Sequence, residues 1–234
     1  MFSRFDGDKL SLNDLCNDLD DKFGCDITKQ SLDERFNSEG VEFLKMVLSR
    51  SLSKKLASYR NVPFLSHFSA VKIQDSTGFQ LSENLSGSYS GTGGSSTGSL
   101  ARIQFEYDIK RMEMTTLELT SGHYQDVTYC KDTIDSIEKG ELIIRDLGYI
   151  SRDFMSNVIK QEAFFINRLR DKQNVYTKDD KGNLVMLNFT KLQRQMQQSK
   201  LQSEEIDIVI EIEGEYLEMR LIAEKVPNEI SEKR

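Results

Sequence analysis

Two aspartates stand at the ends of apolar, strand-like runs, a placement that can hold a hard divalent cation. Asp75 lies in Val71-Lys72-Ile73-Gln74-Asp75-Ser76-Thr77. Asp146 lies in Glu141-Leu142-Ile143-Ile144-Arg145-Asp146-Leu147-Gly148-Tyr149. Side chains alternate along a strand, so Val71, Ile73 and Asp75 share a face, as do Leu142, Ile144 and Asp146. Side by side in one sheet, the two strands bring both carboxylates to its C-terminal edge. Two oxygen ligands there suit a hydrated cation such as Mg²⁺, and such a site can cut or join phosphodiester bonds. The competing reading of each residue is a strand-end aspartate that caps a turn.

Other reactive residue types offer less. His67 and His123 have no second ligand at useful spacing. Cys16, Cys25 and Cys130 are too few and too scattered for a disulfide framework or a zinc cluster, which makes the cytoplasm the expected compartment. The run Gly87-Ser88-Tyr89-Ser90-Gly91-Thr92-Gly93-Gly94-Ser95-Ser96-Thr97-Gly98 lacks the Gly-Lys-Ser/Thr ending of a triphosphate-binding loop. It reads instead as a flexible loop beside a groove, or as a plain linker.

The elements that must position the aspartates are legible from periodicity. Ser11 can cap a helix carrying Leu12, Leu15, Leu19 and Phe23, with Gly24 as its stop; Thr28 can cap a second over 29–36. Ser38 can cap a third, longer helix bearing Val41, Leu44, Val47, Leu48 and Leu52. The first two suggest a helix-turn-helix whose second member opens with Lys29 and Gln30, which would then touch DNA; generic three-helix packing gives the same pattern.

A strand over 70–74 follows, then a hairpin in which Ile103, Phe105, Tyr107 and Ile109 alternate and return through Thr115, Leu117 and Leu119. A helix over 126–138 with Val127, Cys130, Ile134 and Ile137 inward leads to the Asp146 strand. A helix capped by Ser151 and packed through Phe154, Val158 and Ile159 leads to a strand over 163–169. This order builds a mixed α/β sheet with a parallel pair at its centre. Beyond residue 173 the pattern becomes β-rich, with a glutamine-rich helical stretch and a hairpin of Ile206, Ile208, Ile210 and Ile212 against Leu217, Met219 and Leu221.

The chain divides accordingly into a helical region over 1–62, a core over 63–173 and a β-rich module over 174–234. Its 234 residues are 38% hydrophobic and 29% charged, with no run long enough to span a membrane and no secretory signal at the start. The net charge of −7 argues against wholesale nucleic-acid binding, yet residues 152–200 hold ten Lys or Arg against five acids. Such a basic stretch can track a phosphate backbone, or it can be a solvated face.

At this point the residues resemble the DDE-type insertion-sequence transposases of the "insertion sequence four" group. Asp75-Ser76-Thr77 after an apolar strand is similar to the group's first acidic motif. Asp146-Leu147-Gly148-Tyr149, 71 residues later, is similar to its second. The resemblance implies a ribonuclease-H-like sheet with a β-rich insertion after the second aspartate. It also implies Mg²⁺- or Mn²⁺-dependent cleavage and transfer of DNA strands at transposon terminal repeats, with two metals held by Asp75 and Asp146. Arg168 and Lys172, by their charge, are expected to contact phosphates.

One part of the pattern is missing. The group's third carboxylate, a glutamate on a helix within a Tyr, Arg, Glu, Lys pattern, has no counterpart here, so the chain reads as the N-terminal part of a longer transposase. Glu141, Asp126 and Glu162 are substitute candidates, each weighed against an ordinary surface acid. A non-catalytic fragment that binds DNA or assembles with a full-length transposase is the rival expectation. Self-association is also expected, because an interrupted insertion would leave Ile208 or Leu217 without closing partners.

Overall fold

The computed structural model describes residues 11–59, 62–91, 98–124, 126–146, 151–169, 173–212 and 214–226. Capping sets the N-terminal helices. Ser11 Oγ accepts from the Asp14 amide while the Asp14 carboxylate accepts from the Ser11 amide, a reciprocal box that starts α1 (Leu12–Phe23). Gly24 ends it in the left-handed region at φ 61°, where a side chain is disfavoured. Thr28 opens α2 (Lys29–Asp33). Asn37, rather than Ser38, opens α3 (Ser38–Leu56) by accepting the Gly40 amide at 2.8 Å.

The second helix is shorter than its sequence suggests. Asp33 ends it, so Lys29 and Gln30 sit exposed on five residues. A helix of that length spans about 7.5 Å, too little to lie along a major groove as a recognition helix does.

The first sheet is built from β1 (Val71–Gln80), β2 (Leu100–Asp108), β3 (Glu113–Ser121), β4 (Leu142–Arg145) and β5 (Phe164–Asn167). Its spatial order is β3-β2-β1-β4-β5, with β1 to β3 antiparallel and β4 and β5 parallel to β1. That is the mixed, ribonuclease-H-like arrangement expected. Helix α4 (Asp126–Asp132) leads into β4 and α5 (Arg152–Lys160) joins β4 to β5. Right-handed crossovers running the same way put both helices on one face, where Cys130, Phe154 and Val158 pack with Ile143.

Three boundaries differ from the sequence reading, each for a physical reason. Strand β1 continues five residues past Asp75 because its antiparallel pairing with β2 runs on to Gln80 opposite Leu100. The helix over 126–138 breaks after Asp132 into a short 3-10 turn, although Ile137 still reaches the core. Ile159 faces solvent, and Met155 takes the buried position instead.

The second sheet contains β6 (Val175–Lys178), β7 (Leu184–Met186), β8 (Ser203–Ile212) and β9 (Glu215–Glu224), ordered β7-β6-β8-β9 and antiparallel throughout. Helix α6 (Phe189–Gln198) buries Leu192 and Met196. Val175, Ile208 and Ile210 join the same core as Phe154, Val158 and Ile143, with Leu217 packed against it. The expectation that Ile208 and Leu217 lack partners is therefore not met: α5 and the first sheet supply them. Among the described residues no helix is long and apolar enough to cross a membrane.

Candidate functional site

The parallel pairing of β1 with β4 sets the geometry. Val71 stands opposite Leu142, Lys72 opposite Ile143, Ile73 opposite Ile144 and Gln74 opposite Arg145. The pairing ends there, and Asp75 and Asp146 are the next residue along each strand, both exposed. Carried one step further at the same offset, with neighbouring strands about 4.8 Å apart, it would set the two carboxylates side by side on one face. Asp75 Oδ1 accepts the Ser76 amide at 2.8 Å, which restrains the carboxylate at its base.

The same reasoning extends to β5. Asn167 is opposite Arg145, and Arg168, one residue on and exposed, follows Asn167 as Asp146 follows Arg145 and Asp75 follows Gln74. A guanidinium beside two carboxylates suits a phosphate that approaches a metal. Lys172 lies outside the described residues. The β1–β2 hairpin runs about 17 Å past this row on one side, so the Gly/Ser-rich segment begins at the end of the sheet that carries the aspartates. Residues 92–97 of that segment lie outside the described residues.

Two of the three substitute ligands are not brought to this edge. Glu141 sits at the opposite end of β4, fully buried, and pairs with Lys72 Nζ at 2.8 Å while accepting the Glu138 amide at 3.1 Å. Glu162 precedes β5 at that same far end and pairs with Lys139 at 2.6 Å. Asp126 opens α4, and its side chain is outside the described residues. No group of three or more His, Cys, Asp or Glu able to hold a metal occurs among the described residues. Two carboxylates at adjacent strand ends would suit one hard cation, and among the described residues no third carboxylate, His or Cys joins them.

Two supporting residues lie on the face away from the aspartates. Arg145, immediately before Asp146, is buried; its Nη1 donates to Cys130 Sγ at 2.6 Å and its guanidinium lies 4.5 Å over the Phe154 ring. It ties the end of β4 to both α4 and α5. Burial pushes the Cys130 thiol up from its ordinary range, with Arg145 acting in the opposite direction. Tyr129 is also pushed up, chiefly by burial and then by the nearby Glu118 charge. Asp108, buried at the end of β2, accepts the Lys110 and Arg111 amides at 2.8 and 3.1 Å and holds the β2–β3 turn. The signal for Arg145 was present in the sequence: a charged residue at the inward-facing position of an otherwise apolar strand.

Comparison with known proteins identifies the family. The family described as "Transposase DDE domain" matches residues 66–227. The transposase for insertion sequence element IS231F of Bacillus thuringiensis subsp. israelensis is 34% identical over 167 residues, covering 70% of this chain and 35% of that protein. The transposase for IS231B of Bacillus thuringiensis subsp. berliner is 31% identical over 194 residues, covering 82% of this chain and 41% of the relative. The transposase for IS1151 of Clostridium perfringens is 28% identical over 184 residues, covering 76% and 39% respectively. The chain thus spans well under half the length of the relatives it matches. With the match over most of its residues and the strand order that such a domain requires, the chain belongs to the transposase DDE-domain family.

Proposed function

We propose that this chain carries the first two acidic ligands of a metal-dependent DNA transposase. Asp75 and Asp146 hold Mg²⁺ or Mn²⁺, and the cation supplies electrophilic stabilisation at the phosphorus being attacked. Arg168 and Lys172 contact phosphates beside the metal, and Lys29 and Gln30 contact the backbone of DNA bound along the helical region. The substrate is DNA at transposon terminal repeats, handled in the cytoplasm by the intact protein, with a further carboxylate completing the site there. The observation that supports this reading is the β1–β4 register, which pairs Gln74 with Arg145, the residues immediately before the two aspartates.

A second reading rests on the absence of a three-ligand cluster among the described residues. In it the chain alone binds DNA or a full-length transposase without cutting. One experiment separates the two. The chain is incubated with supercoiled plasmid DNA and Mg²⁺ or Mn²⁺. Metal-dependent nicking that vanishes in Asp75→Ala and Asp146→Ala supports the catalytic reading. DNA binding without nicking favours the second, and nicking that survives both substitutions sinks the metal scheme.

A further inference from the structure

Helix α3 meets the first sheet through a mixed, largely polar side. Glu42, Lys45, Met46 and Ser49 line a shallow depression together with Met114, Thr115 and Leu117 of β3, and Leu52 and Leu56 further along are partly buried. Ser53 Oγ donates to the Met112 carbonyl at 2.8 Å and lies 3.2 Å from the Tyr107 hydroxyl. The apolar side points the other way: Val41, Phe43, Leu44, Val47 and Leu48 are each 40–57% exposed. A surface helix ordinarily does the reverse, burying its apolar stripe and showing its polar face.

Helical spacing makes this a contiguous patch. Val41, Leu44 and Leu48 follow one another at i, i+3 and i+7, and Phe43 and Val47 stand beside them at i and i+4. Singly exposed apolar residues need no explanation, but a continuous stripe marks a surface that another body covers. Its C-terminal half carries Arg50, Lys54 and Lys55, all exposed.

Helix α1 has the complementary character. It sets Leu12, Leu15, Leu19 and Phe23 at helical spacing and fully buries none of them, leaving Phe23 68% exposed. It carries Asp14, Asp18, Asp20 and Asp21 against a single Lys22. Aligned in the same sense as α3, it brings Asp20 and Asp21 beside the basic half of the stripe. Complementary charge of this kind selects and orients a partner, while the apolar stripe supplies affinity.

We propose that the outward stripe of α3 is a self-association surface that takes α1 of a second copy. The exchange is reciprocal, so two equivalent α1–α3 contacts are related by a two-fold axis and the assembly closes as a dimer. This surface stands apart from the aspartate pair. Loss of metal binding would leave it intact, and loss of the dimer would leave the pair intact.

Sedimentation equilibrium on the full 234-residue chain tests the proposal. Wild type should show twice the 26.9 kDa chain mass. Leu44→Glu/Leu48→Glu should raise the dimer dissociation constant at least about a hundredfold. Its circular dichroism should stay unchanged, since both side chains face solvent within one chain, and its urea midpoint should match that of wild type diluted until it is monomeric. Lys54→Glu/Lys55→Glu and Asp20→Lys/Asp21→Lys should each weaken the dimer about tenfold. An equimolar mixture of those two variants should recover wild-type affinity, because both contacts in the mixed dimer regain opposite charges. A chain that stays monomeric at about 100 μM, where even a weak micromolar dimer would form, overturns the proposal. So does a dimer indifferent to the leucine substitutions, and a mixture that fails to recover overturns the pairing with α1.

Discussion

Gln74 stands opposite Arg145 at the end of the parallel β1–β4 pair, and the next residue on each strand is an aspartate, Asp75 and Asp146. A slip of one residue would send one carboxylate to the other face of the sheet and separate the two. Register at this pair is therefore what the site depends on. The ion pair of Lys72 with Glu141, at the other end of the same two strands, helps to fix it.

That ion pair leads to the first prediction. Both side chains are largely removed from solvent, so Glu141→Gln leaves a lysine charge without its partner. We expect a loss of about 3 kcal/mol in urea unfolding. The double variant Lys72→Met/Glu141→Leu should recover most of it, because neither charge is then stranded. Equal losses in the single and double variants would show that the pair contributes through shape alone.

A second prediction concerns alkaline pH. Cys130 and Tyr129 both have protonated forms favoured by burial in the folded chain, so their folded pKa values lie above the unfolded ones. Below the unfolded values both states hold their protons and the stability is fully present. As pH rises past about 9 the unfolded thiol ionises first and the unfolded chain gains. Stability should fall through that window, and more steeply once the phenol follows. Cys130→Ser should flatten the thiol part of the profile measured by chemical denaturation.

Arg145 gives a third. Arg145→Ala removes the link from β4 to Cys130 and the stacking on Phe154, and should cost about 2–4 kcal/mol. Arg145→Lys keeps the charge but not the planar stack, and should recover only part of that loss. Urea midpoints of the two variants check the order.

Gly122 gives a fourth. Its amide donates to the Leu100 carbonyl at 2.6 Å, and a Cβ there would come within 2.7 Å of the Leu100 Cβ. Gly122→Ala should destabilise the β1–β3 end of the sheet by about 1–3 kcal/mol, seen as a lowered melting temperature.

Much of the first sheet was legible because runs of strand-prone residues bounded by turns mark strands, and Ile103, Phe105 and Tyr107 fall in β2 as Leu142 and Ile144 fall in β4. Which face is buried was not legible, since the fully buried positions include the polar Gln74, Gln104 and Arg145. Caps were equally plain, since Ser11, Thr28 and Ser151 each bond the amide their position demands. Tertiary outcomes were not legible. Val41, Leu44 and Leu48 have core periodicity but face solvent, because periodicity records an apolar stripe without saying which body covers it. Glu141 looked like a spare carboxylate, and only the pairing of β4 with β1 reveals its burial against Lys72. The extent of β1 beyond Asp75 depends on its antiparallel neighbour, which local pattern does not contain.

The most direct test of the central claim is a double-mutant cycle on Mn²⁺ affinity, measured by electron paramagnetic resonance of the 234-residue chain. Asp75→Asn and Asp146→Asn each remove one charge at nearly constant volume. If the two carboxylates share a cation, each single variant should lose about tenfold or more in affinity, and the double variant should be scarcely weaker than the worse single. Losses that simply add, or a wild-type affinity no greater than that of the double variant, would contradict the shared site.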